Sequence, residues 1–288
     1  MKVLLISLPT RSPTPQIPNL GIIAIAQTIR NLGHEVSMID VERYRYSVDE
    51  VISEARKTTH DLFGISGIIT SYYFFEPLSA ALKEAFPDIP SIVGGSITSA
   101  SELIEKYSKI DFMAKGEGEN CITELLNRLS TGNTSNLSDI PCLYVRKGYK
   151  FEAPLKEQSY PDLSVIPIPA YDLYDMDYYI EACTRIAEHF LKLYPDVQKR
   201  VPHDTRFFPI VLTRGCPYAC SFCYRLIKKF RHPSVEYALD YLKMVKKKYG
   251  CNGISLLDEL TITNRKWFIE LCNAIASEIP DLHIFFGA

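Results

Sequence analysis

From residue 1 to about 130 the chain alternates short Val- and Ile-rich runs with longer amphipathic ones, and this alternation restricts the fold more than any other feature. The strand candidates are Val3–Leu8, Val36–Ile39, Leu62–Ile68, Ser91–Val93 and Phe112–Ala114. They are near-continuous apolar runs, as expected of strands covered on both faces. Helical segments lie between them; the clearest carries Ile22, Ile25, Ala26 and Ile29 on one face and stops at Gly33. The fold class implied is α/β, a doubly wound, Rossmann-like or flavodoxin-like parallel sheet. Such sheets bind ligands at the carboxyl ends of their strands. That rule selects Pro9–Pro18, Thr70-Ser71, Gly94-Gly95 and Gly116-Glu117-Gly118-Glu119. No Gly-x-Gly-x-x-Gly or Walker loop follows the first run, so neither a dinucleotide nor a nucleoside triphosphate is indicated.

A length of 288 residues with 47% apolar content supports about two packed domains. A net charge of −2 gives no reason to expect nucleic acid or another polyanion as partner. The longest uncharged stretch, Leu62 to Phe75, falls short of the ~20 residues a membrane span needs. Met1-Lys2 leads straight into Val3-Leu4-Leu5-Ile6, without the form of a leader. Of eight cysteines, five are scattered (Cys121, Cys142, Cys183, Cys251, Cys272) and read as small apolar core residues, not a disulfide framework. A reducing cytoplasmic location fits that usage.

The remaining three thiols stand together in Cys216-Pro-Tyr-Ala-Cys220-Ser-Phe-Cys223, directly after the apolar run that begins at Phe208. Iron–sulfur clusters normally take four Cys ligands, so three imply an iron with one open position, the mark of chemistry rather than scaffolding. A Cys3His zinc site completed by His232 is the alternative that spacing leaves open. Residues 141–153 alternate apolar and polar around Lys147-Gly148, which predicts a β-hairpin. A Pro-punctuated connector follows from Tyr160, and then an amphipathic helix and a loop over 180–205. Beyond the cysteines, Ser234 is placed to cap a helix with Val235, Ala238, Leu242, Val245 and Tyr249 on its apolar face. Strand Ile254–Leu257, helix Asn264–Ser277 and strand His283–Phe286 complete a strand–helix repeat of (β/α)-barrel type. Asp258-Glu259 then stands at a strand's carboxyl end, and Arg225, Lys228, Lys229 and Arg231 offer positive charge just past the thiols.

The pattern C-x3-C-x2-C, with an aromatic before the last Cys and the flank Thr-Arg-Gly-Cys-Pro, resembles the radical S-adenosylmethionine (SAM) superfamily. The resemblance implies a [4Fe-4S] cluster on Cys216, Cys220 and Cys223, with SAM chelated at the fourth iron. It implies Phe222 against the adenine, and Asp258 and Glu259 near the SAM amino group. Ser66-Gly67-Ile68 followed by Gly94-Gly95 is similar to the cobalamin-binding domain found ahead of many radical SAM cores. It implies cobalamin contacts at Ser66, Thr70, Ser71, Gly94, Gly95, Gly116, Glu117 and Gly118. Corrinoid proteins that replace the lower cobalt ligand carry Asp-x-His-x-x-Gly after the first strand. Here that loop reads Pro9-Thr-Arg-Ser-Pro-Thr-Pro15, and His34 and His60 precede strands, so no His lower ligand is expected.

The organisation implied is a cobalamin-binding-like domain over 1–140, hairpin and linker over 141–205, and the first half of a radical SAM partial barrel over 206–288, as if truncated. The function implied is reductive SAM cleavage followed by C-methylation of an unactivated carbon, or ring formation or rearrangement. The cofactors are the cluster, SAM and cobalamin; the partners are a small-molecule substrate and a flavodoxin- or ferredoxin-type electron donor, with no nucleic acid and no membrane. The alternatives are a non-catalytic corrinoid-binding fragment and a tRNA methylthiotransferase-like enzyme. Such methylthiotransferases bring three further cluster cysteines in their N-terminal domain, whereas no Cys precedes Cys121 here.

Overall fold

The computed structural model describes residues 1–12, 17–223 and 227–286. It divides into two compact units. The first consists of Met1–Pro13, Gly21–Tyr160 and Pro169–Leu173, the second of Thr14–Leu20, Pro161–Ile168 and Tyr174–Ala288. No helix among the described residues is long and apolar enough to cross a membrane.

The first unit runs β1 (Lys2–Ser7), α1 (Leu20–Asn31), β2 (Glu35–Asp40), α2 (Val41–Tyr44), α3 (Val48–Ala55), β3 (Leu62–Ser66), α4 (Tyr72–Ala85), β4 (Ser91–Gly94), α5 (Ser101–Tyr107), β5 (Phe112–Ala114), α6 (Glu119–Thr131), β6 (Leu143–Lys147) and β7 (Lys150–Glu152). The strands form one sheet in the order β2-β1-β3-β4-β5-β6-β7. The first five are parallel, with Leu4 of β1 opposite both Ser37 and Phe63. β6 and β7 add antiparallel, so the hairpin expected in the connecting stretch is hydrogen-bonded to β5 as the edge of this sheet. The order reverses at β1, and the cleft beyond β1 and β3 is where such sheets receive ligands.

Side chains explain these elements locally. β1, β3 and β4 are buried along nearly their whole length because helices cover both faces. Phe63, Phe75, Leu78 and Ile6 are fully buried in one hydrophobic core of this unit, each worth roughly 1.5–3 kcal/mol of transfer free energy. Ser47 and Glu50 form a reciprocal capping box at the start of α3, and Gly132 in the left-handed region ends α6. β3 stops at Ser66, two residues before the expected end, because Gly67 packs against Leu8 and Ser71 as the chain enters a 3-10 turn at Ile69–Ser71.

The second unit runs α7 (Met176–Lys192), α8 (Pro195–Gln198), β8 (Phe207–Ile210), α9 (Val235–Tyr249), β9 (Gly253–Leu256), α10 (Arg265–Glu278) and β10 (His283–Phe286). Its three strands are parallel in the order β10-β9-β8. Ser234 caps α9 by accepting the Tyr237 N–H at 3.1 Å, as its position in the sequence implied. Asn264 does the same for α10 through the Trp267 N–H, so the helix proper begins one residue later than expected. α7 lies against β8, where Cys183 and Ala187 pack on Phe207 and the Thr184 hydroxyl accepts the Phe207 N–H at 2.9 Å.

Candidate functional site

Two groups of residues stand at strand carboxyl ends, one in each unit. In the first unit, Leu8 continues the β1–β3 ladder by donating its N–H to Ser66 O at 2.9 Å. The loop beyond it is tied down by a side chain that sequence reasoning missed. Buried Glu42 accepts both the Thr10 N–H and, at 3.0 Å, the Thr10 hydroxyl. Arg45 adds a bond to Ser12 O at 2.9 Å. Pro13–Gln16, the middle of the expected ligand loop, lie outside the described residues.

Gly95 adopts φ +86°, and a Cβ there would lie 2.8 Å from Ser66 Oγ and 3.0 Å from Gly67 O. Gly95 is therefore required for the ends of β3 and β4 to close on each other, whereas a Cβ at Gly94 would meet nothing nearer than Ala114 O at 4.0 Å. Thr70 is exposed, whereas Ser71 is fully buried and its hydroxyl oxygen has no hydrogen-bond partner, so Ser71 lies beneath the rim at which it was expected. Gly116 adopts φ +106° with the Gln158 side chain packed directly against it. Gln158 accepts the Glu117 N–H at 3.2 Å and donates to Glu117 O, so one carboxamide fixes both backbone groups of that residue. Gln158 was not anticipated; nothing in its surrounding sequence marks it. Glu117 itself is buried, and Gly118 packs against Ile25 of α1. His34 and His60 sit at the amino ends of β2 and β3, the edge opposite these loops.

In the second unit the cysteine loop leaves the carboxyl end of β8. It is pinned at its base by mutual backbone hydrogen bonds between Arg214 and Arg231, at 3.0 and 2.9 Å, and by Cys216 N–H to Ile227 O at 3.2 Å. Gly215, between those two staples, has φ +83° and lies against the Lys229 carbonyl. Cys216 is half-buried and Cys220 and Cys223 are exposed. Phe222 is 91% exposed and presents a large apolar surface. Tyr224–Leu226, including the basic candidate Arg225, lie outside the described residues. Lys228 and Lys229 are exposed. Arg231 is engaged in the unit itself, donating to Pro161 O at 2.7 Å.

The donor chemistry fits an iron–sulfur cluster with one open corner, since three thiols share one loop at the carboxyl end of a parallel strand. Among the described residues no three metal-binding side chains are already gathered round one point, so a cluster would have to draw these sulfurs together. The zinc alternative is poorly served. His232 Nδ1 is 2.9 Å from Pro233 O and its Nε2 is 2.9 Å from Asn264 Nδ2, while the ring stacks on Trp267 at 4.8 Å. Both ring nitrogens are thus engaged in structure.

Asp258 and Glu259 follow β9 at the same end of the sheet. Glu259 is exposed. Asp258 turns onto the β8 extension, accepting the Leu212 N–H at 2.7 Å and the Thr213 hydroxyl at 2.8 Å. Burial pushes its carboxyl above the ordinary range, opposed by these hydrogen bonds.

Residues 7–126 match the B12 binding domain family. Over 98% of its length the chain is 28% identical to an uncharacterized methyltransferase of Pyrococcus horikoshii, covering 58% of that protein. Over 96% it is 24% identical to an anaerobic magnesium-protoporphyrin IX monomethyl ester cyclase of Synechocystis, covering 53%. Among solved structures it superposes on the radical SAM methyltransferase TsrM of Kitasatospora setae with a TM-score of 0.72 at 17% identity, over 98% of this chain and 52% of that one. The cobalamin-dependent SAM radical enzyme OxsB gives 0.72 at 19% identity, over 99% of this chain and 38% of that one. The structural likenesses establish the fold. The chain spans about half the length of the curated relatives it matches.

Proposed function

We propose that the chain is a radical SAM protein carrying a B12-binding domain, and that it supplies the cofactor-binding half of a cobalamin-dependent radical SAM enzyme acting on a small molecule; the B12-binding match over residues 7–126 and the likeness to methyltransferase relatives support this reading. The reaction we favour is methylation of an unactivated carbon, since relatives along nearly the whole chain include a methyltransferase. Ring formation is the second reading, favoured by the cyclase relative.

The observation that carries the proposal is the cysteine loop. Its base is fixed by two backbone staples, while Cys220, Cys223 and the Phe222 ring are presented outward at a strand's carboxyl end. Cys216, Cys220 and Cys223 would hold a [4Fe-4S] cluster, and Phe222 would cover the adenine of SAM, with Glu259 nearby. When bound, these groups supply an electron for reductive SAM cleavage and a corrinoid-borne methyl group. The chain's own part is to orient them. In the first unit, Ser66, Thr70, Gly94, Gly95 and the Gly116–Gly118 backbone would receive cobalamin, with Ser71 supporting them from below. His34 and His60 lie at the edge opposite these loops, so neither of them would serve as a cobalt ligand. An external flavodoxin- or ferredoxin-type donor and a cytoplasmic setting complete the reading; nucleic acid has no place in it.

The test is anaerobic reconstitution with iron and sulfide, followed by titration with hydroxocobalamin. The expected result is about four irons per chain with the absorption and paramagnetic resonance of a [4Fe-4S] cluster, together with a saturable corrinoid spectrum. Corrinoid binding without a cluster would leave only a corrinoid-binding role. A cluster without corrinoid would remove the methyl-transfer reading, and a zinc–thiolate site without iron would overturn both.

A further inference from the structure

We infer that Asp258 is a positioning residue, whose carboxylate sets the strand end from which the cysteine loop departs and whose negative charge does not contact the SAM cosubstrate. The inference deepens the reading above and rests on it for the identity of what the loop holds.

Backbone pairing between β8 and β9 ends with Ile210 opposite Leu256, followed by one last bond from Leu257 N–H to Ile210 O at 2.9 Å. Beyond that point the two segments diverge, and the next rung of the ladder comes from a side chain. Asp258 Oδ1 accepts the Leu212 N–H at 2.7 Å, and Oδ2 accepts the buried Thr213 hydroxyl at 2.8 Å. Each carboxylate oxygen thus accepts a donor from the β8 extension. A cosubstrate ammonium that displaced either one would leave the buried Leu212 N–H or Thr213 hydroxyl without this partner, at a cost of about 1–3 kcal/mol.

The place of this rung gives it its consequence. Leu212 and Thr213 are the fourth and third residues before Cys216, and Gly215 turns immediately after them. With the rung in place, the Arg214–Arg231 staple and the first sulfur have a fixed starting point. Without it, the stretch beyond the Leu257 N–H to Ile210 O bond keeps the weaker approach of the Thr213 hydroxyl to Leu260 O at 3.3 Å on its β9 side.

An asparagine can keep most of this geometry. Its carboxamide oxygen accepts the Leu212 N–H, and its amide donates to Thr213 Oγ1, whose proton then turns to Leu260 O. D258N and D258A therefore separate position from charge. The first measurement is hydrogen exchange across residues 210–216 of the iron-free chain. We expect D258A to exchange at least tenfold faster there and D258N to stay within threefold of wild type, with far-UV circular dichroism unchanged in both. The second is iron and SAM binding after reconstitution, where D258N should retain both within about twofold and D258A should lose most of its iron. Wild-type exchange in D258A would overturn the positioning role, with or without a cluster. A D258N protein that keeps its iron but loses SAM affinity tenfold would overturn it too, by showing that the charge meets the cosubstrate. If D258A exchanges faster but the wild type takes up no iron, the positioning role stands and the cluster reading fails.

Discussion

Replacing Gly215 by alanine tests whether the cysteine loop depends on its base. At φ +83° an L-residue with a Cβ costs about 1–2 kcal/mol in backbone strain alone. The added Cβ would also run into the Lys229 carbonyl and lie 3.1 Å from Ile227 Cγ2. A backbone carbonyl cannot rotate aside, so the two sides of the loop must separate. That breaks the Cys216 N–H to Ile227 O bond and loosens the Arg214–Arg231 pair. At about 1 kcal/mol for each hydrogen bond lost, the total reaches roughly 2–4 kcal/mol. Thermal unfolding of the second unit should shift down by about 8–16 °C, at ~4 °C for each kcal/mol in a unit of this size. Gly250→Ala is the matched control in the same unit. It carries a similar strain at φ +62°, but the nearest atom to its Cβ would be Arg206 Nη1 at 3.9 Å. Calorimetry of wild type, G250A and G215A isolates the collision from the strain, and iron content after reconstitution reads its effect on the site. A G215A protein no less stable than G250A, with wild-type iron, would refute the reasoning.

Two further expectations concern the first unit. Buried His60 holds its Nε2 3.0 Å from Ala55 O, and burial lowers its pKa below the ordinary 6.5, as burial and the N-terminal ammonium lower that of His34. A folded-state pKa below the unfolded one means the unfolded chain binds more protons, so stability is present above about 6.5 and is lost as pH falls toward the folded value. Urea midpoints at pH ~7.5 and ~5.5 should therefore differ more for wild type than for H60Q, and equal differences would assign the slope to His34 or elsewhere. Gln158→Ala removes both bonds to the Glu117 backbone. If those bonds preorganise the Gly116–Gly118 loop, hydroxocobalamin affinity should fall about tenfold, corresponding to ~1.4 kcal/mol. An unchanged absorption titration would show that the loop needs no such support.

Much of the fold is legible in the chain because its local signals agree. Phe112–Ala114 and His283–Phe286 form strands where apolar runs announce them, and Ser234 and Asn264 cap helices as their side chains permit. The sheet's antiparallel edge was less legible. A hairpin declares its own pairing through Lys147-Gly148, but not the strand it will join, and only the assembled unit shows β6 beside β5.

The sequence by itself determined the alternation that makes a parallel sheet and the thiol spacing that nominates an iron site. Both are carried by residues close along the chain, where period and spacing translate directly into geometry. Tertiary structure alone decided which side chains hold those segments still. Glu42 reaches Thr10, Gln158 reaches Glu117 and Asp258 reaches Leu212 across 32, 41 and 46 residues. No local pattern encodes such pairs, because a carboxylate or carboxamide looks the same in sequence whether it meets a ligand or a backbone N–H.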